Sequence, residues 1–381
     1  MALQRQRRSL TADPKPGRLW SWWRLCPRIH SWLAVMLLWL VAFRLLCAHK
    51  GAVDSLITCI SAPVGQHLAR LCAKVPVSVA EVLIGAAGVL LMAYGLYTLL
   101  LLIRQKKPAF QPIYRCLMLY LTFGLTVYGG FCLMWGVYYY TDSFQVQSGI
   151  YAREATVEEL TQTTQYFADR LGELSGQVPR QADGTMKPEI HRYLQASGTL
   201  YQGIHEKFPF LPARSLFPKL IHFSGIMSRL DFTGFLFPFT GEANINRDMP
   251  VCLMPATIAH EISHQKGVAS EQEANFVGIV ACMQSGDPVY AYSGALLAYI
   301  HLSNALYRED PQTWQTIRDS LPEGVKADIR YNNAFWKQYQ TTVTAKASQK
   351  TYNRFLKSYS QTMGTKSYGA VVDLLIVYYG T

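Results

Sequence analysis

The sequence lacks any pair of cysteines separated by two residues, although it contains eight cysteines. Zinc sites built from thiolates usually present such pairs, so we do not expect a site of that class. Internal repeats and low-complexity tracts are also missing. Of the scattered cysteines, Cys59 and Cys72 fall in one predicted outer loop. They could form a disulfide or serve as two small apolar residues, and the sequence leaves both options open.

A basic excess is missing from the larger part of the chain, although the net charge is +11. Residues 141–381 contain 21 basic and 22 acidic residues. By contrast, residues 1–30 contain seven basic residues and one acidic residue, and residues 104–115 contain four basic residues and no acidic one. The positive charge therefore lies beside apolar runs, where it marks membrane topology. We do not expect nucleic acid as a partner.

Three apolar runs are long enough to span a bilayer, which takes about 20 residues. They cover approximately residues 31–48, 79–103 and 116–140, and tryptophans and tyrosines flank them as in membrane-interface belts. No small-x-small cleavage site follows the first run, so we interpret it as a retained helix and not as a signal peptide. A fourth run, 289–306, contains several polar residues, and we expect a buried helix there in preference to a fourth span.

The positions of the basic residues predict how these helices cross the membrane. Both basic stretches should stay in the cytoplasm. This divides the chain into a basic cytoplasmic N-terminus (1–30), a membrane domain with three transmembrane helices (31–140) and an extracytoplasmic domain (141–381). The expected localisation is a multi-pass protein of the cell membrane, with the lipid bilayer as one partner.

The extracytoplasmic domain should be predominantly helical, of the α+β class. Thr156 and Glu159 form a capping-box pattern that predicts the start of a helix. A second helix is expected over about 188–206. Residues 207–250 are rich in proline, glycine and phenylalanine, which favours loops and short strands. Within them, residues 239–246 (FTGEANIN) could form an edge strand or a packed loop, and helices return after residue 250.

The segment His260-Glu261-Ile262-Ser263-His264 matches the H-E-x-x-H pattern. Positions i and i+4 share one face of a helix, so both imidazoles can reach one zinc ion. Glu261 lies beside them, where it can act as general base on a zinc-activated water. Pro255 and Thr257 can begin this helix, and Lys266-Gly267 can end it.

A catalytic zinc site needs a third protein ligand, and two glutamates follow closely. If Ser270 caps a new helix, Glu271 and Asn275 share a face, so that Glu271 could bind the metal and Asn275 could support it. Glu273 stays the alternative ligand. Tyr292 is a conceivable transition-state donor, although its spacing does not single it out. Two imidazoles and a carboxylate favour one Zn²⁺ ion as the cofactor.

Several segments resemble the bacterial membrane proteins of domain-of-unknown-function family 3810. They are VPVSVAEVL (75–83), MWGVYYY (134–140), FTGEANIN (239–246), AHEISHQKGVASEQEANF (259–276), AYSGALLAY (291–299), YNRFLK (352–357) and GTKSYGAVVDLL (364–375). The resemblance implies a multi-pass membrane protein with a zinc-peptidase domain. The family's activity and substrate are not established, so it implies fold more than function.

The segment Glu271-Gln272-Glu273-Ala274-Asn275 also resembles the E-x-x-A-N pattern of gluzincin peptidases. This likeness implies a zincin-like fold with Glu271 as third ligand. Many gluzincins place that glutamate much further from the second histidine, so Glu273 remains a candidate for the third ligand. Gluzincin-like sites also hold the substrate backbone on an edge strand, which implies a substrate contact for Asn244 in the segment 239–246.

These patterns favour a membrane-anchored zinc metallopeptidase that hydrolyses an extracytoplasmic protein or peptide. The alternative is a non-enzymatic membrane receptor or scaffold with a structural zinc site, which would not need Glu261. An intramembrane protease is disfavoured because polar residues crowd the motif and no apolar run of spanning length contains it.

Overall fold

Helices dominate the computed structural model, which describes residues 23–104, 110–340, 342–359 and 369–380. The prediction of a mainly α chain with three apolar N-terminal helices and a small sheet is confirmed. Parts of the basic stretches used to predict the topology, and residues 364–368 of the motif at 364–375, lie outside the described residues.

The described residues before position 135 form the α-helices α1 (Pro27–Leu46), α2 (Lys50–Leu56), α3 (Ala62–Cys72), α4 (Val79–Arg104) and α5 (Phe110–Met134). Of these, α1, α4 and α5 are long and apolar enough to cross a membrane. The last of them begins and ends earlier than the sequence predicts, because the chain passes into a 3-10 turn, Gly136–Tyr140, after Met134. These three helices indicate membrane association.

The segment between the first two long apolar helices, α1 and α4, is largely helical and not an open loop. A π-helical turn, Ile57–Ser61, joins α2 directly to α3. Cys59 lies in this turn and Cys72 ends α3, so they are separated by about 20 Å at a rise of about 1.5 Å per residue. A disulfide needs Cα atoms within about 7 Å. Both cysteines are free thiols, so the pairing left open by the sequence does not form.

The remaining helices follow after residue 140. They are α6 (Phe144–Ser148), α7 (Val157–Ser175), α8 (Ile190–Ala196), α9 (Gln202–His205), α10 (Ser224–Arg229), α11 (Met254–Gln265), α12 (Glu271–Met283), α13 (Pro288–Glu309), α14 (Pro311–Ser320), α15 (Glu323–Gln340), α16 (Val343–Tyr359) and α17 (Ala370–Tyr379). The predicted capping box begins α7, since Thr156 Oγ1 accepts from Glu159 N at 3.1 Å and Glu159 Oε2 accepts from Thr156 N at 2.8 Å. The ambiguous apolar run 289–306 lies in α13, most of whose side chains are buried.

Three short strands form the sheet: β1 (Lys219–Ile221), β2 (Gly234–Phe237) and β3 (Glu242–Asn246). Their order is β1-β3-β2, with β1 parallel and β2 antiparallel to β3. The sequence left the segment 239–246 open as an edge strand or a packed loop, and neither is correct, because residues 242–246 form the central strand β3 and all five are buried. Its polar side chains suggest an exposed strand, but they form hydrogen bonds inside the protein.

The chain divides into two compact units, Met1–Ala48 with Gly85–Cys132, and His49–Ile84 with Leu133–Thr381. In the first, Trp39 Nε1 donates to the carbonyl of Gly129 at 3.0 Å, and the Tyr120 hydroxyl donates to the carbonyl of Leu91 at 2.8 Å. These bonds join its apolar helices.

The second compact unit has its core where α11, α12 and α13 pack together, with α7 and α17 against them. Fully buried apolar side chains fill this core, among them Phe167, Ile258, Ile262, Ile279 and Leu296. The sheet packs on α11 through β2 and β3. The helix that carries the H-E-x-x-H motif therefore lies between the helical core and the sheet.

Candidate metal centre

The H-E-x-x-H motif lies on α11, which begins and ends close to where the sequence predicts. Pro255 is in the first turn, where its missing N–H costs no hydrogen bond. The helix ends at Gln265, and Gly267 follows with φ of 90°. A side chain is strained in this left-handed conformation, so the glycine suits the turn. His260 and His264 thereby share one face of a short, capped helix.

A second helix, α12, brings the first carboxylate after this turn back towards the histidines. The Ser270 side chain accepts from Glu273 N at 3.5 Å and caps α12, so Glu271 is the first helical residue. The two helices approach closely at Gly278, where a Cβ would lie 3.0 Å from the backbone nitrogen of His260. A helix pair joined by a tight turn thus sets the position of Glu271.

The imidazoles of His260 and His264 and the carboxylate of Glu271 converge. The Nε2 atoms of the two histidines are 3.1 Å apart. Glu271 Oε2 lies 3.2 Å from His260 Nε2, and Glu271 Oε1 lies 3.5 Å from His264 Nε2. One ligand atom from each residue falls within 4.8 Å of the others. In the part of the chain that the structure describes, no other set of three such residues is arranged this way.

Hydrogen bonds on the far side of each ring orient the two imidazoles. His260 Nδ1 is 2.9 Å from Asn275 Oδ1, and His264 Nδ1 is 2.7 Å from the carbonyl oxygen of Val268. When the rings are neutral, both acceptors require Nδ1 to carry the proton, which directs the Nε2 lone pairs at the common centre. Two imidazole nitrogens and one carboxylate, with these supporting bonds, fit a zinc ion with an open coordination position.

Glu261 is buried beside this cluster and incompletely paired. Its Oε2 has no hydrogen-bond partner among the described residues. Burial raises the pKa of Glu261 to about 7, against the opposing effect of His260 and His264. The carboxyl group also lies against β2, since a Cβ at Gly234 would be 2.6 Å from Glu261 Oε1. Such a carboxyl group can exchange a proton near neutral pH.

The charges of the cluster depend on one another. Burial alone would lower the pKa of His264, but the carboxylate of Glu271 outweighs it and raises that pKa to about 9. Burial alone would raise the pKa of Glu271, but His264 and His260 outweigh it and hold that pKa far below the usual range. Glu271 is therefore an anion under all ordinary conditions, as a metal ligand has to be.

Glu273, the alternative ligand, has different partners. Its carboxylate accepts hydrogen bonds from the backbone nitrogens of Phe144 at 3.0 Å and Gln145 at 3.3 Å. The side-chain nitrogen of Gln145 also donates to it, at 3.1 Å. The structure thus brings Glu271, and not Glu273, to the two histidines.

The contacts of Asn244 and Tyr292 do not support the substrate-binding roles expected for them. Asn244 is fully buried in β3, where its Oδ1 accepts from Ser78 Oγ at 2.7 Å. Tyr292 is fully buried in α13, and its hydroxyl donates to Asp328 Oδ2 at 2.5 Å. Each side chain holds the fold together through a partner distant in sequence, which its own local pattern could not indicate.

Three side chains near the cluster were not singled out from the sequence. The Trp135 ring meets that of His264 edge-on, with centroids 5.6 Å apart. Trp135 also donates to the hydroxyl of Tyr139, whose pKa is raised to about 12 by burial and by Glu271. Burial, and then His260, lower the pKa of His301 to about 4. The aromatic residues were interpreted as a membrane-interface belt, and His301 falls in the run 289–306 that was expected to form a buried helix. Neither pattern indicated a position beside the cluster.

The comparison with known families agrees with the resemblance noted from the sequence. The family described as "Protein of unknown function (DUF3810)" matches residues 60–376, and the chain belongs to this family. Neither a curated protein nor a solved structure matches the chain.

Proposed function

We propose that this protein is a membrane-anchored zinc peptidase whose metal is held by His260, His264 and Glu271. The observation that carries the proposal is the convergence of two oriented imidazoles and one carboxylate beside Glu261. A purely structural site would not need a buried carboxyl group with an unpaired oxygen at that position. The proposed topology has residues 1–30 in the cytoplasm and residues 141–381 outside.

In the proposed reaction, water adds across a peptide bond, giving a carboxylate and an amine. Zinc, when bound, supplies the Lewis acid that activates the water and polarises the carbonyl group. Glu261 takes a proton from the attacking water at its carboxylate and returns it to the nitrogen of the leaving amine. Asn275 and the carbonyl group of Val268 keep the two imidazoles in the orientation that ligation needs.

The short likeness to gluzincins supports Glu271 as third ligand. The segment 271–275 reads E-Q-E-A-N, and its first and last residues contact His260. This chain departs from many gluzincins in the short gap between His264 and Glu271. A tight turn and a close crossing of α11 and α12 bring Glu271 to the histidines despite the short gap. Additional residues between His264 and Glu271 are therefore not required.

A peptide substrate is favoured by the position of β2. This strand is at the edge of the described sheet, with β3 on one side. It passes Glu261 at Gly234, where the absence of a side chain allows the close approach. An extended peptide that adds to the free edge of β2 would place its backbone beside the proposed general base. This assigns to β2 the role that the sequence suggested for the segment 239–246.

The test combines metal content with turnover on purified wild type, Glu261→Gln and His264→Ala. Wild type and Glu261→Gln should each retain zinc, while His264→Ala should lose it. Only the wild type should hydrolyse an unstructured protein such as casein, because Glu261→Gln removes the group that moves the proton. Full activity in Glu261→Gln would rule out the proposed role. Zinc binding without turnover in any form would favour a receptor or scaffold.

A further inference from the structure

An exposed apolar patch lies at the first turn of α4. Phe223 and Ile226 are 67% and 57% exposed, and Val82 is 57% exposed. The Ile226 nitrogen donates to the carbonyl of Phe223 at 2.9 Å, so these two side chains lie one turn apart on the same side of α10. We call Phe223, Ile226 and Val82 the interfacial patch. Single exposed apolar residues are ordinary on a protein surface. A function of the patch therefore has to be argued from the elements that lie next to it.

The patch is fixed directly to the start of an apolar helix. Glu81, the third residue of α4, accepts from the Phe223 nitrogen at 2.7 Å and from the His222 nitrogen at 3.1 Å. Phe223 therefore lies level with the first turn of a 26-residue helix that is long and apolar enough to cross a bilayer. If α4 spans the membrane, the lipid headgroups begin at this level.

The sheet is fixed to the same turn by buried polar contacts. The Glu242 carboxylate accepts from the nitrogens of Val79 and Ala80 at 3.2 and 2.8 Å, satisfying donors that a helix start leaves open. Lys219 Nζ is 2.6 Å from the same carboxylate and donates to the carbonyl of Val77 at 2.9 Å. We expect these contacts to be stable, because the charged side chains of Lys219 and Glu242 are almost fully buried.

A second contact relates the metal cluster to the end of another apolar helix. Trp135 directly follows Met134, the last residue of α5, and its ring meets the ring of His264. Tryptophan favours the boundary between hydrocarbon and water. Because α4 and α5 are consecutive spans, the start of α4 and the end of α5 belong to the same side of the membrane. The contact of Phe223 with Glu81 and the contact of Trp135 with His264 therefore both lie at the same membrane surface.

We infer that the interfacial patch lies among the phospholipid headgroups and holds the cluster of His260, His264 and Glu271 at the bilayer surface. The occupant of the patch is lipid, because Val82 belongs to α4, whose next side chains, Leu83 and Ile84, are also exposed and apolar. The consequence for substrate, which rests on the proposed function, is a peptide segment close to a membrane anchor. A freely diffusing peptide would gain nothing from this placement.

Lipid contact is tested on the full-length protein in vesicles of phosphatidylethanolamine and phosphatidylglycerol that contain a photoactivatable phospholipid. After illumination, mass spectrometry should find lipid on the peptide that contains Phe223 and Ile226. Tyr307 on α13, which is 54% exposed, is the matched control and should stay unlabelled. Equal labelling of Tyr307, or no labelling at Phe223 and Ile226, would overturn the inference. Cross-links between two copies at Phe223 would assign the patch to a second chain.

The substrate class is tested with casein, either free or attached to the vesicle through a lipid. Anchoring should raise the wild-type rate by about tenfold or more through effective concentration. The double variant Phe223→Asp, Ile226→Asp should lose most of that advantage but cleave free casein at the wild-type rate. Tyr307→Asp should change neither rate.

The two proposals fail in different ways. Loss of cleavage of free casein by the double variant, with zinc retained, would contradict the surface-specific role. The surface-specific role is also contradicted if the double variant cleaves anchored casein faster than free casein by the same factor as the wild type. If the wild type cleaves neither substrate, the proposed function fails, while the lipid-labelling result still decides the position of the patch.

Discussion

At the scale of single residues, two glutamates in the first turn of α12 differ in what they contact. Glu271 faces the imidazoles of His260 and His264, and Glu273 accepts hydrogen bonds from the backbone at 144–145. The spacing of the motif predicted both histidines and both candidate carboxylates. It could not choose between the carboxylates, because the choice depends on a backbone turn more than 120 residues earlier in the chain.

Glu271→Gln and Glu273→Gln form a matched pair of variants. Removing the ligand charge at Glu271 should lower zinc affinity by about 100-fold or more, since even supporting partners of zinc ligands are worth about 10–100-fold. Glu273→Gln should keep zinc but lower the free energy of unfolding by about 2 kcal/mol, because hydrogen bonds to a charged group are weakened. Competition with a chelator and thermal denaturation measure the two effects. The reverse pattern would assign Glu273 as the ligand.

The raised pKa of His264 predicts how zinc affinity depends on pH. In chelator-treated protein, His264 keeps its proton up to about pH 9, whereas zinc needs the neutral imidazole. Zinc and a proton therefore compete, and zinc binding weakens as the pH falls. Around pH 8 the affinity should rise by close to tenfold per pH unit, because His264 is still mostly protonated there and Glu261, with a pKa of about 7, is already largely ionised.

Calorimetry in two buffers with different ionisation enthalpies would count the protons released when zinc binds. Near pH 8 the count should be close to one, and it should approach zero well above pH 9. An affinity that does not change between pH 7 and 9 would mean that His264 is neutral before zinc binds.

At the scale of elements, the site depends on how closely α11 and α12 cross. The sequence predicted where α11 begins and ends and where α12 begins, because proline, glycine and a capping serine have local effects. The distance between the helices is a tertiary property. It depends on Gly278, which the sequence analysis did not single out and which lies against the backbone of His260.

Gly278→Ala and Gly172→Ala make the same change in two helices. At Gly278, a Cβ would lie 3.0 Å from the backbone nitrogen and 3.2 Å from the Cα of His260. Overpacking of this kind costs about 1–3 kcal/mol, and the displaced histidine should also weaken zinc binding by about tenfold. At Gly172 on α7, nothing lies within 4 Å, so alanine should stabilise the helix by up to about 1 kcal/mol. Equal effects on zinc affinity would show that the close crossing does not position the ligands.

The sheet illustrates a second limit at this scale. The segment 239–246 was expected to form an edge strand or a packed loop, but β3 is central and buried. Asn244 and Glu242 find their partners at residues 78–80, more than 160 positions away. Local sequence patterns show that a strand is polar, but they do not show which distant residues form hydrogen bonds with its polar side chains.

At the scale of the whole molecule, hydropathy and compact packing divide the chain differently. The apolar runs predicted a boundary at residue 141, after the third span. The compact unit that contains the metal cluster comprises His49–Ile84 as well as Leu133–Thr381. The family match begins at residue 60, inside that earlier segment. Hydropathy detects which segments can enter a membrane, whereas it carries no information on which segments share a core.

A fragment of residues 141–381 should therefore fail to reproduce the intact site. It would leave the buried Lys219 without the carbonyl of Val77, and Asn244 without Ser78. The Glu242 carboxylate would lose both backbone donors from α4. Each unmade buried hydrogen bond costs about 1–3 kcal/mol, so several together are comparable with the total stability of a domain, about 5–15 kcal/mol.

Zinc titration and thermal unfolding of this fragment, beside the full-length protein, measure the prediction. The fragment should unfold without a sharp transition and bind zinc at least about tenfold more weakly. Ser78→Ala in the full-length chain is the graded control, since it removes one of these bonds and should cost only about 1–2 kcal/mol. If the fragment melts cooperatively and binds zinc as tightly as the full chain, residues 49–84 contribute little to the site. In that case the boundary predicted from hydropathy would also be the boundary of the folding unit.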